Sequence, residues 1–248
     1  MRIADLLHPT QANGEAFPPD SAKSLVIVVA ASFIQFFPIG NIFTFNLMVP
    51  VFLESFNGTS LSQISAVGTT GFALFFFGGL IAAPLANKRG PRIVTLVGGT
   101  IWFVGYFFST YAQTFPQLVF TYGVLLGFGS SFAYWALLST LPQWFEKYRF
   151  VGTSVALMAG GIGQIVYAFG FAKYLINTEW KRTIQVLASC GLACILISCP
   201  FLSPRTPQHR QVDLKATIIE LLHDRNYIFY LLAAFFTAFT CFVPFLNQ

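Results

Sequence analysis

The charged residues of this chain are widely spaced, and the stretches between them decide what it can fold into. Charge-free runs cover residues 24–53, 55–87, 93–145, 150–172, 183–204 and 226–248. A helix that crosses a bilayer needs about 20 apolar residues. Five of the runs are each read as one span. The run 93–145 holds two, divided near Gln113, Thr114, Pro116 and Gln117. The expectation is therefore seven membrane-spanning helices. A membrane β-barrel would show segments of about ten residues alternating in polarity, and these runs are continuous.

Composition excludes the other classes. Charged residues make up 9% of the 248 and hydrophobic residues 55%, with 30 Phe. A soluble domain carries about 25% charged residues, and a disordered chain is far less apolar.

The sign of the charges orients the spans. The net charge of +5 would suggest nucleic acid as partner of a soluble protein. Here the bias of Lys and Arg towards cytosolic loops explains it, and no nucleic-acid partner is expected. Arg2, Lys23, Lys88, Arg89, Arg92, Lys147, Arg149, Arg205, Arg210, Lys215 and Arg225 fall on one side; Lys173, Lys181 and Arg182 fall on the other. The N-terminus is thus expected in the cytosol and Asn57, in the sequon Asn57-Gly58-Thr59, outside. No cleavable signal peptide is read in the polar, turn-rich first 24 residues. Residues 1–24 form a cytosolic tail, 25–202 a six-helix bundle, 203–226 a cytosolic loop and 227–248 a seventh helix. Within the loop, Leu214 to Leu222 suits a short surface helix.

Small residues mark close helix contacts in lipid: Gly78, Gly79, Ala82 and Ala83 in the second span, Gly98, Gly99 and Gly105 in the third, Gly123, Gly127, Ser130 and Ser131 in the fourth, and Ala156, Gly160, Gly161 and Gly163 in the fifth. Cys190, Cys194, Cys199 and Cys241 lie in apolar spans, remote from His8, His209 and His223. No metal site and no cofactor are expected. No nucleophile–base pair or nucleotide loop is present, so an enzyme is not expected.

The turn after the second span reads Ala83-Pro84-Leu85-Ala86-Asn87-Lys88-Arg89-Gly90-Pro91-Arg92. It resembles the loop motif of the major facilitator superfamily, with Asn87 where an acid is usual. Gly90 permits a tight reversal, and Lys88 and Arg92 hold the loop on the cytosolic side. Pro-Leu-Ala-Asn before the base is similar to the monocarboxylate transporter family. So are Trp144-Phe145-Glu146-Lys147-Tyr148-Arg149 leading into a Gly- and Ala-rich fifth span, and Glu179-Trp180-Lys181-Arg182 before the sixth. The oxalate–formate antiporter group has nearly the same loops. The chain departs from the family at Lys23-Ser24-Leu25-Val26-Ile27, where an Asp-Gly-Gly-Trp run is usual, and at Ile39, where a Lys often follows the Pro. Proton-coupled lactate transport is therefore not carried over.

The resemblance implies an all-α membrane protein: a facilitator-type six-helix N-terminal bundle plus helix 7 of a truncated second bundle. It implies a multi-pass secondary transporter for a small organic acid such as a monocarboxylate, working by alternating access, with the plasma membrane as default. The bilayer, the substrate, and a second half-transporter or another copy of the chain are the expected partners. Two alternatives stay open: a non-transporting fragment or regulatory partner of a full-length carrier, and a seven-helix receptor.

Intramembrane charges usually mark proton relays or counter-ions. None is expected here, so the candidate substrate-binding residues are uncharged. Ser32, Gln35 and Asn46 share one face of the first helix at 100° per residue, with Ile39. Pro38 and Gly40 can break that helix there, and broken midplane helices often border transport sites. Tyr134 continues the Gly127, Ser130 and Ser131 face, and Gln164 and Tyr167 are neighbours on the fifth span. The alternative is that each polar group bonds a neighbouring helix. The orientation predicts a glycan on Asn57 and an N-terminal tag protected from external label in intact cells. A tag labelled from outside contradicts it.

Overall fold

The computed structural model describes residues 17–56, 58–177, 180–204 and 229. Two units divide the chain, Met1–Gln208 and His209–Gln248, and the helices described here belong to the first. The expected seventh span, Leu214 to Leu222 and Asn57 lie outside the described residues.

Among the described residues, six helices are long and apolar enough to cross a bilayer: α1 (Ala22–Phe43), α2 (Leu61–Arg89), α3 (Pro91–Tyr111), α4 (Phe115–Trp144), α5 (Arg149–Gly170, continuing to Asn177) and α6 (Trp180–Phe201). The long run 93–145 divides at Ala112–Thr114, close to the expected break. Local chemistry sets the boundaries. Ser60 and Gln63 cap α2 reciprocally, and Thr114 and Gln117 do so for α4. Between α2 and α3 one residue makes the turn. Gly90 has φ 93° and ψ 145°, a conformation open to glycine, and Pro91 starts the next helix.

Two features differ from expectation. First, α1 runs unbroken through Pro38, although proline cannot donate to the Ile34 carbonyl. Second, residues 24–53 are not one span. The run exceeds the length of a single crossing, and after α1 ends at Thr44 it forms a 3₁₀ turn (Phe45–Met48) and a short helix (Val49–Ser55) with Pro50 in its first turn. Phe52 of that helix is fully buried against Phe45, Tyr122 and Trp180, with ring centroids 5.5–6.3 Å apart.

In α4 the backbone switches to i→i+5 bonding over Val119–Leu125, a widened turn often found at functional sites. Tyr122 projects from it. Its ring lies 6.0 Å from that of Tyr106 on α3, and Asn41 of α1 faces both hydroxyls. Neither hydroxyl, nor Asn41 Oδ1, makes a hydrogen bond of good geometry among the described residues.

Packing pairs α1 with α5, and sets α4 against both α2 and α3. Lipid tails are as apolar as leucine, so burial alone does not drive these pairings; close backbone approach does. A Cβ on Gly40 of α1 would stand 2.9 Å from the Gly163 carbonyl carbon of α5. One on Gly127 of α4 would stand 2.6 Å from the Gly71 oxygen of α2. In both places the obstacle is backbone, which cannot rotate away. At Gly161 a Cβ would meet nothing within 4 Å.

The contrast gives a stability prediction. Gly127→Leu should destabilise the protein by about 1–3 kcal/mol or more, through overpacking. Gly161→Leu should change it by less than about 0.5 kcal/mol, as an open position does. Thermal unfolding of the detergent-solubilised protein reads both. Equal unfolding temperatures contradict the packing described.

Candidate functional site

Four helices converge on one pocket of about 400 Å³. Its walls are Gln35, Ile39 and Phe43 from α1, Phe75 and Phe76 from α2, Tyr134 and Trp135 from α4, and Leu157, Gly161 and Gln164 from α5. The volume falls within the range of small-molecule sites. Among the described residues, no charged side chain lines it.

Each wall has a structural origin. Trp135 is pinned across the α2–α4 contact: its indole N–H donates to the Phe75 carbonyl at 3.1 Å, and Gly79 leaves the room its ring fills. Tyr134 packs on Phe75 at 5.2 Å and edge-on to Trp135 at 5.1 Å. Phe75 and Phe76 meet edge-to-face at 5.2 Å. On α5, Gly160 and Gly163 face inward against α1, which turns Gly161 to the pocket. Gln35 is 2% exposed, and neither atom of its amide has a hydrogen-bond partner among the described residues. An unsatisfied buried amide costs about 1–3 kcal/mol.

Of the six residues singled out from the sequence, the pocket brings together Gln35, Tyr134 and Gln164. The other three sit elsewhere. Ser32 bonds back to the Val28 carbonyl at 2.8 Å, within its own helix. Asn46 is exposed in the 3₁₀ turn, past the end of α1, so the helical face projected from Gln35 does not reach it. Tyr167 is buried beside Phe37 and Gly40, at the α1–α5 contact. The aromatic walls Phe43, Phe75, Phe76 and Trp135 escape a reading of the sequence. In a chain with 30 Phe, an aromatic residue in an apolar span carries no local mark that it faces a pocket.

A second polar region lies at the end of the bundle where α2 turns into α3 and α6 ends. Asn87 and Lys88 are exposed in the last turn of α2, where the cations Lys88 and Arg89 suit the helix dipole. Arg92 Nε donates to the Leu202 carbonyl, and the Cys199 thiol donates to the Arg92 carbonyl at 3.1 Å. These bonds tie the start of α3 to the end of α6. Next to them, Trp144 donates to the Ser203 carbonyl at 2.7 Å and accepts from Ser24 Oγ at 2.9 Å through its own carbonyl. The Asp20 carboxylate accepts from the Lys147 backbone at 3.0 Å. Lys23 is buried in this knot, with Nζ 4.2 Å above the Phe17 ring and 5.5 Å above that of Trp144. The sequence places Lys23 among tail cations, yet its ammonium lies over aromatic rings inside the fold.

Known proteins match the chain along most of its length. The MFS-type transporter pynF of Aspergillus niger is 23% identical over 249 residues, covering 98% of this chain and 55% of that protein. The MFS-type transporter pytF of Aspergillus terreus is 23% identical over 246 residues, covering 98% and 83%. Monocarboxylate transporter 2 of Mus musculus is 32% identical over 192 residues, covering 73% of this chain and 38% of that protein. The chain thus spans about half, or less, of the length of the first and third of these. The family model of the Major Facilitator Superfamily matches residues 31–248, and with six apolar helices in a bundle built on glycine contacts, the chain belongs to that superfamily.

Proposed function

We propose that the protein is a secondary transporter of a small organic acid, and that the pocket between α1, α2, α4 and α5 is this bundle's share of the substrate path. The carrying observation is the pocket itself, a cleft of about 400 Å³ between four apolar spans with Gln35, Tyr134 and Gln164 among its walls. A concave, mostly apolar cleft with a few polar side chains is the usual form of a small-molecule site. Tyr134 and Gln164 add polar groups to the same walls. The similarity to monocarboxylate transporter 2 supports the substrate class.

Alternating access is the mechanism that suits a pocket of this kind, with the substrate held between two bundles that rock about it. Four helices then contribute to binding, while Gly40–Gly163 and Gly71–Gly127 keep each helix pair moving as one body. The bonds tying α3 to α6 and Trp144 to Ser203 would hold the cytosolic end of this bundle rigid through the motion.

Uptake of labelled monocarboxylates at two pH values, in cells expressing the protein, tests substrate and proton coupling together. Gly161→Phe fills the pocket without touching helix packing and should abolish uptake. Gln35→Leu should lower it at least tenfold, equal to about 1.4 kcal/mol. Uptake unchanged in both variants moves the path out of this pocket.

A further inference from the structure

Three polar side chains meet in the interior of the bundle, none of them on the pocket walls. Asn41 of α1, Tyr106 of α3 and Tyr122 of α4 are each no more than 2% exposed. The Asn41 amide lies beside both phenol hydroxyls. Among the described residues, neither hydroxyl nor Asn41 Oδ1 makes a hydrogen bond. Leaving three such groups unpaired in one place is costly.

Packing keeps each group where it is. The Tyr122 ring is wedged between Phe45 at 5.4 Å, Phe52 at 5.5 Å and Tyr106 at 6.0 Å. The Tyr106 ring lies against that of Trp102 at 5.6 Å, and the Trp102 main chain abuts Gly129 of α4. Asn41 follows Gly40, which is pressed against Gly163 of α5. Close-packed neighbours of this kind resist the shifts that would join the three groups directly. A small molecule between them can supply the bonds, and their chemistry selects it. A hydroxyl donates one hydrogen bond and accepts others, whereas Asn41 Oδ1 only accepts. A cation offers no acceptor to the two O–H groups, and an anion offers no donor to Oδ1. A water accepts from a hydroxyl and donates to Oδ1. Buried waters in proteins make about three hydrogen bonds to groups of this kind.

We infer that Asn41 Oδ1 and the hydroxyls of Tyr106 and Tyr122 enclose an internal water site where α1, α3 and α4 join. Tyr122 places the site at the widened turn Val119–Leu125, where α4 departs from regular helix, and such turns are often functional. A bound water re-forms its bonds as helices shift, so it serves this junction as a yielding joint. The site exists whether or not the pocket carries a substrate.

X-ray radiolysis makes hydroxyl radicals from water wherever it sits, so a deeply buried ring is oxidised where a water adjoins it. The detergent-solubilised protein is exposed to microsecond X-ray pulses, and the oxidation rate of each aromatic residue is read by mass spectrometry. Tyr106 and Tyr122 should be oxidised at least tenfold faster than Trp144, which is as deeply buried and whose indole is bonded to the Ser203 carbonyl. Asn41→Leu removes the amide and should lower oxidation of both tyrosines at least tenfold, with Trp144 unchanged. Tyr122→Phe keeps the ring, should lower oxidation at Tyr106 in the same way, and decides the matter if Asn41→Leu does not fold. Tyrosines as unreactive as Trp144 in the unaltered protein overturn the site. Undiminished oxidation in the folded variants overturns it too, since bulk solvent admitted by a breathing motion does not need the amide.

Discussion

In lipid the six helices gain little from hiding apolar side chains, because the surroundings are equally apolar. What holds them in register is backbone against backbone at glycine. Gly40 meets Gly163, and Gly71 meets Gly127, at separations where even a methyl group would collide with main chain. These contacts fix the pairing of α1 with α5 and of α4 with α2. Other glycines place α3 and α6: Gly129 meets Trp102, Gly99 meets Ile195 and Gly191 meets the Trp102 ring. The cost of glycine in a helix, about 1 kcal/mol in water, is offset where it allows this approach.

The pocket is a consequence of the same contacts. On α5, Gly160 and Gly163 are consumed by α1, against Ile39 and Phe36–Gly40. Gly161, between them, is turned away and opens onto the pocket with Gln164. Gly79 on α2 accommodates Trp135, whose indole then bonds back to Phe75. Packing residues and lining residues therefore alternate along single helices. The polarity is also divided by depth. Charged and charge-seeking groups (Asp20, Lys23, Arg92) knit the end of the bundle, while the pocket walls offer amides, a phenol and rings.

Much of the architecture was legible from charge spacing alone. The six described spans follow the charge-free runs, and the two-span run divides near Gln113 as polar residues and Pro116 suggested. The short helix after α1 was hidden, because Val49–Ser55 is as apolar as the span before it and only Pro50 marks a start. Helical periodicity found Gln35 and Gln164 but overran the helix end at Thr44, which placed Asn46 on a face it does not share. Tyr167, three residues from Gln164, turns instead to Gly40 and Phe37. The aromatic lining could not be read, since lipid-facing and pocket-facing rings obey the same composition. The cluster of Asn41, Tyr106 and Tyr122 joins three helices distant in sequence, so no local pattern announces it.

The central claim is that Gly161 faces a water-accessible substrate pocket rather than lipid or a packed neighbour. It is tested most directly by a single cysteine at that position, in a background without Cys190, Cys194, Cys199 and Cys241, exposed to a charged, membrane-impermeant methanethiosulfonate. Ile197→Cys, on α6 and outside the pocket lining, is the comparison. Rapid modification at position 161, none at 197, and loss of uptake on modification are the predicted results. An unreactive cysteine at 161, or modification that leaves uptake intact, would contradict the claim.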